Sequence, residues 1–157
     1  MVREIKFRAR TIQGRQKWVY GDYFSQHKDG VTAHYIVEHP NGRDAGREVM
    51  WLIDSETLGQ YAGSKDGQVT DIYEDDLVDI DEGHWNDCQD DGWNADNPLE
   101  HEGCAEHGHS IEQVVFKDGA YTPVNFADDD ECSRPPLKLW EVIGNVHDNP
   151  ELAEKLA

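Results

Sequence analysis

From Glu4 onward the chain alternates, with Ile5, Phe7 and Ala9 interleaved with Lys6, Arg8 and Arg10. A period of two predicts a half-buried strand with those apolar residues inward and a basic outer face. WVYGDYF, VTAHYIV and VMWLID follow, rich in aromatic and β-branched residues, and Asp29-Gly30 and Asn41-Gly42 punctuate them as turns. Asp66-Gly67 and Asp118-Gly119 lie between further strand-like runs, where a glycine readily takes the positive φ of a tight turn. LWEVIGNV reads as a last strand, after which Asn149 caps a helix with Pro150 in its first turn and ELAEKLA as its body. A helix that short needs packing to persist. Short strands in succession with turns between them predict a mainly β fold ending in a short helix.

One segment breaks the pattern. HWNDCQDDGWNADNPLEHEGCAEHGHS, residues 84–110, is polar and rich in turn residues without a sustained period. It reads as an inserted loop, of a length that is usually functional, disordered or held by something. The 157 residues suffice for one compact domain or two subdomains, and the division is expected at 58/59: an N-terminal β subdomain over 1–58, and a C-terminal one over 59–157 carrying the loop.

The formal net charge of -19 changes the picture through its distribution. Met1 to Lys17 holds six basic residues against one acidic, whereas Asp66 to Glu131 holds one basic against 21 acidic. Such a chain is repelled by nucleic acid and by anionic membrane, unless the basic N-terminal stretch acts alone. A basic protein partner fits instead. No apolar run reaches the ~18 residues of a membrane span, and MVREIKFRAR has charges where a signal peptide needs an apolar segment. A cytoplasmic protein is expected, and its three cysteines, Cys88, Cys104 and Cys132, are expected to be reduced.

Candidate chemistry gathers in two places. Cys88, Cys104, His107 and His109 supply the thiolates and imidazoles that tetrahedral zinc prefers, although no Cys-x2-Cys pair accompanies them. A zinc ion there would order the loop through binding free energy on the order of 10 kcal/mol. The second place is an acidic interaction face made of Asp75, Asp76, Asp79, Asp81, Asp128, Asp129 and Asp130. Alternation with Val78 and Ile80 turns Asp79 and Asp81 to water, which argues against a desolvated general acid. Asp87 to Gly92 imitates the start of an EF-hand loop, but the position of its bidentate glutamate is Pro98. Phosphate-cradle, dinucleotide, nucleophile-elbow and zinc-protease motifs are absent. Cys132 has acidic neighbours that disfavour a thiolate. The aromatics Trp18, Tyr20, Tyr23, Phe24, Tyr61 and Tyr73 either fill a core or line a peptide groove, and the core is favoured.

Three stretches, IKFRARTIQGRQKWVYGDYF, IDSETLGQYAGSKDGQVTDIYEDDLVDI and VIGNVHDNPEL, resemble in order the segments of the YopX family of bacteriophage and prophage proteins. The resemblance implies an N-terminal β subdomain, a C-terminal SH3-like small barrel and assembly into homo-oligomers, in the cytoplasm of a bacterial host. The family's "IYEGD" turn carries a glycine where this chain has Asp75, a residue type that tolerates the left-handed region. The expectation is a phage accessory protein without enzymatic activity, acting as a protein-interaction or self-assembling module. Its alternatives are an acidic mimic of nucleic acid and a zinc-dependent role centred on the loop.

Overall fold

A computed structural model describes residues 4–42, 46–81, 109–117, 120–124 and 137–154. Among them run strands β1 (Phe7–Arg10), β2 (Trp18–Lys28), β3 (Val31–Glu38), β4 (Val49–Leu52), β5 (Gly59–Lys65), β6 (Asp71–Tyr73), β7 (Asp76–Asp81), β8 (His109–Lys117), β9 (Ala120–Pro123) and β10 (Trp140–Asn145). The helix α1 spans Pro150–Ala153, and 3-10 turns occupy Ser55–Thr57 and Leu137–Leu139. The fold is mainly β, with antiparallel ladders throughout. No helix among the described residues is long and apolar enough to cross a membrane.

The chain divides into two compact units, Met1–Ser64 and Lys65–Ala157. The expected division at 58/59 therefore moves, and the reason is pairing: Gly59 and Gln60 at the head of β5 face Arg8 and Phe7 of β1. The shift sorts charge cleanly. The first unit carries nine basic and eight acidic residues, net +1, and the second five basic and 25 acidic, net -20.

In the first unit the strands are hydrogen-bonded in the order β4-β3-β2-β1-β5. Asp29 and Gly30 both take positive φ, 52° and 80°, so the expected Asp-Gly turn joins β2 to β3 as a two-residue hairpin. Ala9, Val19, Ile36 and Ile53 form the buried core, with Phe7, Tyr23, Trp51 and Leu58 packed against it. Past β4 the chain returns to the first strand through a bridge between Thr11 and Ile53 and the bonds Ile12 N–H to Leu52 O and Asp54 N–H to Arg10 O. The basic outer face differs from expectation. Ile5, expected inward, is 56% exposed, whereas Arg8 is buried, its guanidinium 5.0 Å from the ring centroid of Trp18. Arg10 lies over the same ring, Lys6 over Tyr61 and Lys17 over Trp51, so aromatic faces carry much of the N-terminal charge.

In the second unit β7 is central, in the order β10-β7-β8-β9. Among the described residues this is an open ladder with β9 and β10 at its edges, where the family resemblance implies a closed barrel. Ile72, Leu77, Val78, Ile80 and Val114 are all at most 1% exposed and form its core. The turn before β6 also differs from its sequence reading. The left-handed residue is Val69, φ 68°, and Gly67 serves another need: a Cβ there would stand 2.5 Å from the Lys138 carbonyl oxygen. At the C-terminal end Asn149 makes no side-chain capping bond to α1. Its Oδ1 instead accepts from the Asn145 N–H at 3.4 Å, in space that a Cβ on Gly144 would occupy.

Candidate functional site

The acidic stretch at the start of β7 resolves into two kinds of carboxylate. Asp75 adopts φ 67°, the left-handed conformation that a glycine takes freely. Its N–H donates to Val114 O at 2.9 Å and its carbonyl accepts from Val146 N–H at 3.0 Å. Gln113 Nε2 donates to its carboxylate at 2.8 Å, and His147 Nε2 stands 3.4 Å away. Asp76 is 1% exposed and accepts the Tyr73 N–H at 2.7 Å, closing the turn between β6 and β7. The Asp76 carboxylate thus holds the backbone of this turn, whereas that of Asp75 meets the side chains of Gln113 and His147. Asp76 is therefore removed from the expected solvent-facing set, because alternation places it on the side of Val78 and Ile80.

Further along β7 the acids do gather on the open side. Asp79 faces Glu141 of β10 and Ile111 of β8, while Asp81 faces His109. The side chains of Asp79, Asp81, Glu141 and His109 thus share one face, bordering a shallow concavity of about 160 Å³ that Gln68 and Lys138 also line. His109 Nδ1 lies 3.0 Å from Asp79 Oδ1. The hydrogen bond to Asp79, then that residue's negative charge, lift the imidazole above its ordinary 6.5; Asp81 adds to the lift and burial opposes it. Like charges facing one another across a ladder destabilise it. The Asp79 side chain keeps 32% of its exposure, so this is a wet anionic face suited to receiving cationic groups, not a dry site for general acid catalysis.

Asp128, Asp129 and Asp130 of the expected face, and Cys88, Cys104 and His107 of the expected zinc set, lie outside the described residues. His109 is the described member of that set, and its Nδ1 meets the carboxylate of Asp79. Among the described residues no group of three or more His, Cys, Asp or Glu side chains is placed to hold a metal ion.

The first unit holds a second cluster that the sequence does not announce. Glu4, Lys6, Tyr20, Gly21, Asp22, His39 and Gly42 line a concavity of about 290 Å³. His39 Nε2 meets Asp22 Oδ2 at 3.0 Å across 17 residues of sequence. Gly21 permits the approach of β3, since a Cβ there would fall 2.0 Å from Val37 O. Of the candidate aromatics, Tyr61 and Tyr73 are core residues, and Tyr23 stacks on His34 while its hydroxyl meets His34 Nδ1 at 2.8 Å. Tyr20 and Phe24 are 48% and 39% exposed, the latter stacked on Tyr35.

Comparison with known proteins gives one family. A family model described as YopX protein matches residues 6–154. No curated protein matches the chain. Among solved structures, the crystal structure of protein EF1440 from Enterococcus faecalis aligns over 95% of this chain and 97% of its own, at 20% identity and a TM-score of 0.48.

Proposed function

This chain belongs to the YopX family, whose model spans residues 6–154, and for this member we propose a non-enzymatic protein-binding module that engages a basic partner through the open face of β7 and β10. The observation that carries the reading is the placement of Asp79 directly opposite Glu141, on the face that also presents Asp81. That arrangement costs the folded chain some stability, and a cationic partner converts the cost into binding free energy. The net charge of -20 in the second unit draws such a partner in over a distance of about one Debye length, ~8 Å at physiological salt.

A phage or prophage accessory role in the bacterial cytoplasm, and an SH3-like small barrel over residues 65–157, belong to the same proposal. A second copy of the chain is one partner of the right charge, because its Met1–Lys17 stretch holds six basic residues against one acidic. In the sharper version the acidic face imitates the phosphates of nucleic acid and occupies the cleft of a DNA-binding protein.

The test is a salt series. Binding of a fluorescent Lys/Arg-rich peptide and self-association by light scattering are measured between low and physiological salt. The comparison is with a variant combining Asp79→Asn, Asp81→Asn and Glu141→Gln. Steep weakening with salt, and loss of about tenfold or more in the variant, support the proposal. Salt-indifferent binding, or equal binding by the variant, refutes it.

A further inference from the structure

We propose that the outer face of the first sheet is a binding site for single-stranded nucleic acid, with one base seated in the concavity beside Tyr20. Trp18, Tyr20, Asp22 and Phe24 occupy alternate positions of β2 and so share one side of the sheet, at steps of about 6.8 Å. Tyr20 and Phe24 keep 48% and 39% of their surface open. On β1, Arg10 faces Trp18, and Lys6 lines the neighbouring concavity, so two cations border the aromatic row, while Arg8, opposite Tyr20, is buried against Trp18. Exposed rings beside a basic track are what sequence-tolerant binding of single strands requires: each base offers a π face to an aromatic, and each linkage a phosphate to a cation.

The concavity decides between candidate occupants. It measures about 290 Å³, and Tyr20, Gly21 and the hydrogen-bonded Asp22 and His39 are among the residues that line it. A carboxylate-rich peptide would bring its charges against Asp22 and Glu4. A nucleobase brings ring or amino N–H groups that those carboxylates accept from, while the phosphates of its strand turn to Lys6 and Arg10. A duplex keeps its bases stacked away from Tyr20 and Phe24. The strong repulsion of polyanions belongs to residues 65–157; the first unit is net +1 and places its cations where the strand would run.

The experiment is fluorescence anisotropy on the full chain with labelled oligothymidylate and oligouridylate of about ten nucleotides, a duplex of equal length, and poly-glutamate. The expected result is binding of the single strands in preference to duplex and poly-glutamate, with a log–log salt slope of about -1.4 to -2.1 for two or three neutralised phosphates. Tyr20→Ala and Phe24→Ala each weaken it roughly 5- to 150-fold, and Tyr20→Phe, which keeps the ring, stays within about threefold. Arg10→Ala flattens the slope by about 0.7. Lys117→Ala, which removes an equal charge from the second unit, leaves affinity unchanged. The proposal is overturned by no single-strand binding at about 50 mM salt, or by Tyr20→Ala binding as tightly as the parent. It also fails if poly-glutamate binds more tightly than the oligonucleotides, which would reassign the face to an acidic peptide. Melting temperatures of each variant separate lost binding from lost folding.

Discussion

The carboxylate of Asp66 accepts the N–H of Val142 at 2.9 Å, joining residues 76 apart in sequence. The same carboxylate accepts Gln68 N–H at 2.9 Å and Thr70 N–H at 2.7 Å, and Gly67 N–H donates to Trp140 O at 2.9 Å. Together these bonds occupy the side of β10 that faces away from β7, where an edge strand would otherwise offer donors and acceptors to a foreign strand. Asp66 is thus an acid of the backbone, like Asp76, and not of the binding face.

Removing that carboxylate leaves three amides to find water at a site where Asp66 is 7% exposed. Asp66→Ala is expected to lower stability by about 2–4 kcal/mol, and Asp66→Asn, which retains one acceptor oxygen, by about half as much. Urea unfolding with a common m-value measures both. Equal loss in the two variants would show that acceptor geometry is not the cause.

Glu141→Gln removes half of a facing like-charge pair. The variant is expected to gain about 0.2–1 kcal/mol of stability while binding a basic peptide less tightly. Opposite signs in the two measurements are the signature of a face kept for binding, and a destabilised variant would contradict it.

His109 supplies a pH dependence whose sign is fixed by the direction of its shift. Its folded pKa is raised, so the Asp79 pair contributes stability fully below the unfolded value of about 6.5 and loses it as pH rises through the higher folded midpoint. With the His109 side chain 57% exposed the effect on stability is small, and the ring itself is the better reporter. An NMR titration is expected to place its midpoint above 6.5 in the parent and to bring it down in Asp79→Asn.

Gly144 and Asn149 should be energetically coupled. Gly144→Ala sets a Cβ about where Asn149 Oδ1 lies and is expected to cost roughly 1–3 kcal/mol. Asn149→Ala loses the bond to Asn145 but clears that space, so the double variant should cost less than the sum of the two. A double-mutant cycle measures the coupling, and strict additivity would place the clash elsewhere.

What could be read from the chain was whatever local chemistry determines. Asp29-Gly30 announces its hairpin because few residue pairs adopt two consecutive positive φ values, and Asp75 in the place of a glycine announces a left-handed residue. Alternation located Asp79 and Asp81 on a shared open side. Illegible features depend on partners distant in sequence. Arg8 looks solvent-facing until Trp18 covers it, and Asp22 and His39 meet only because β2 and β3 pair in one register. Asn149 has the identity of a helix cap, yet its side chain turns back to Asn145, whose neighbour Gly144 leaves the room. Asp66-Gly67 reads as a turn for a conformational reason, whereas the glycine is required by the approach of Lys138.

The short connection at Asp29-Gly30 also sets an order in time. Seven facing pairs, from Lys28–Val31 to Asp22–Val37, zip from a two-residue turn. A hairpin of that kind closes in about 1–10 µs. The facing of Asp81 and His109, by contrast, brings together the two ends of residues 82–108, and closing so long a segment carries an entropic cost before any pairing repays it. Pulsed hydrogen exchange during refolding should protect the amides of Tyr23–Ile36 before those of Val78–Ile80, and the reverse order would refute this sequence of events. The first sheet then matures while the carboxylate-rich half is still an expanded polyanion, whose self-repulsion keeps it from sticking to its neighbours until its own strands meet.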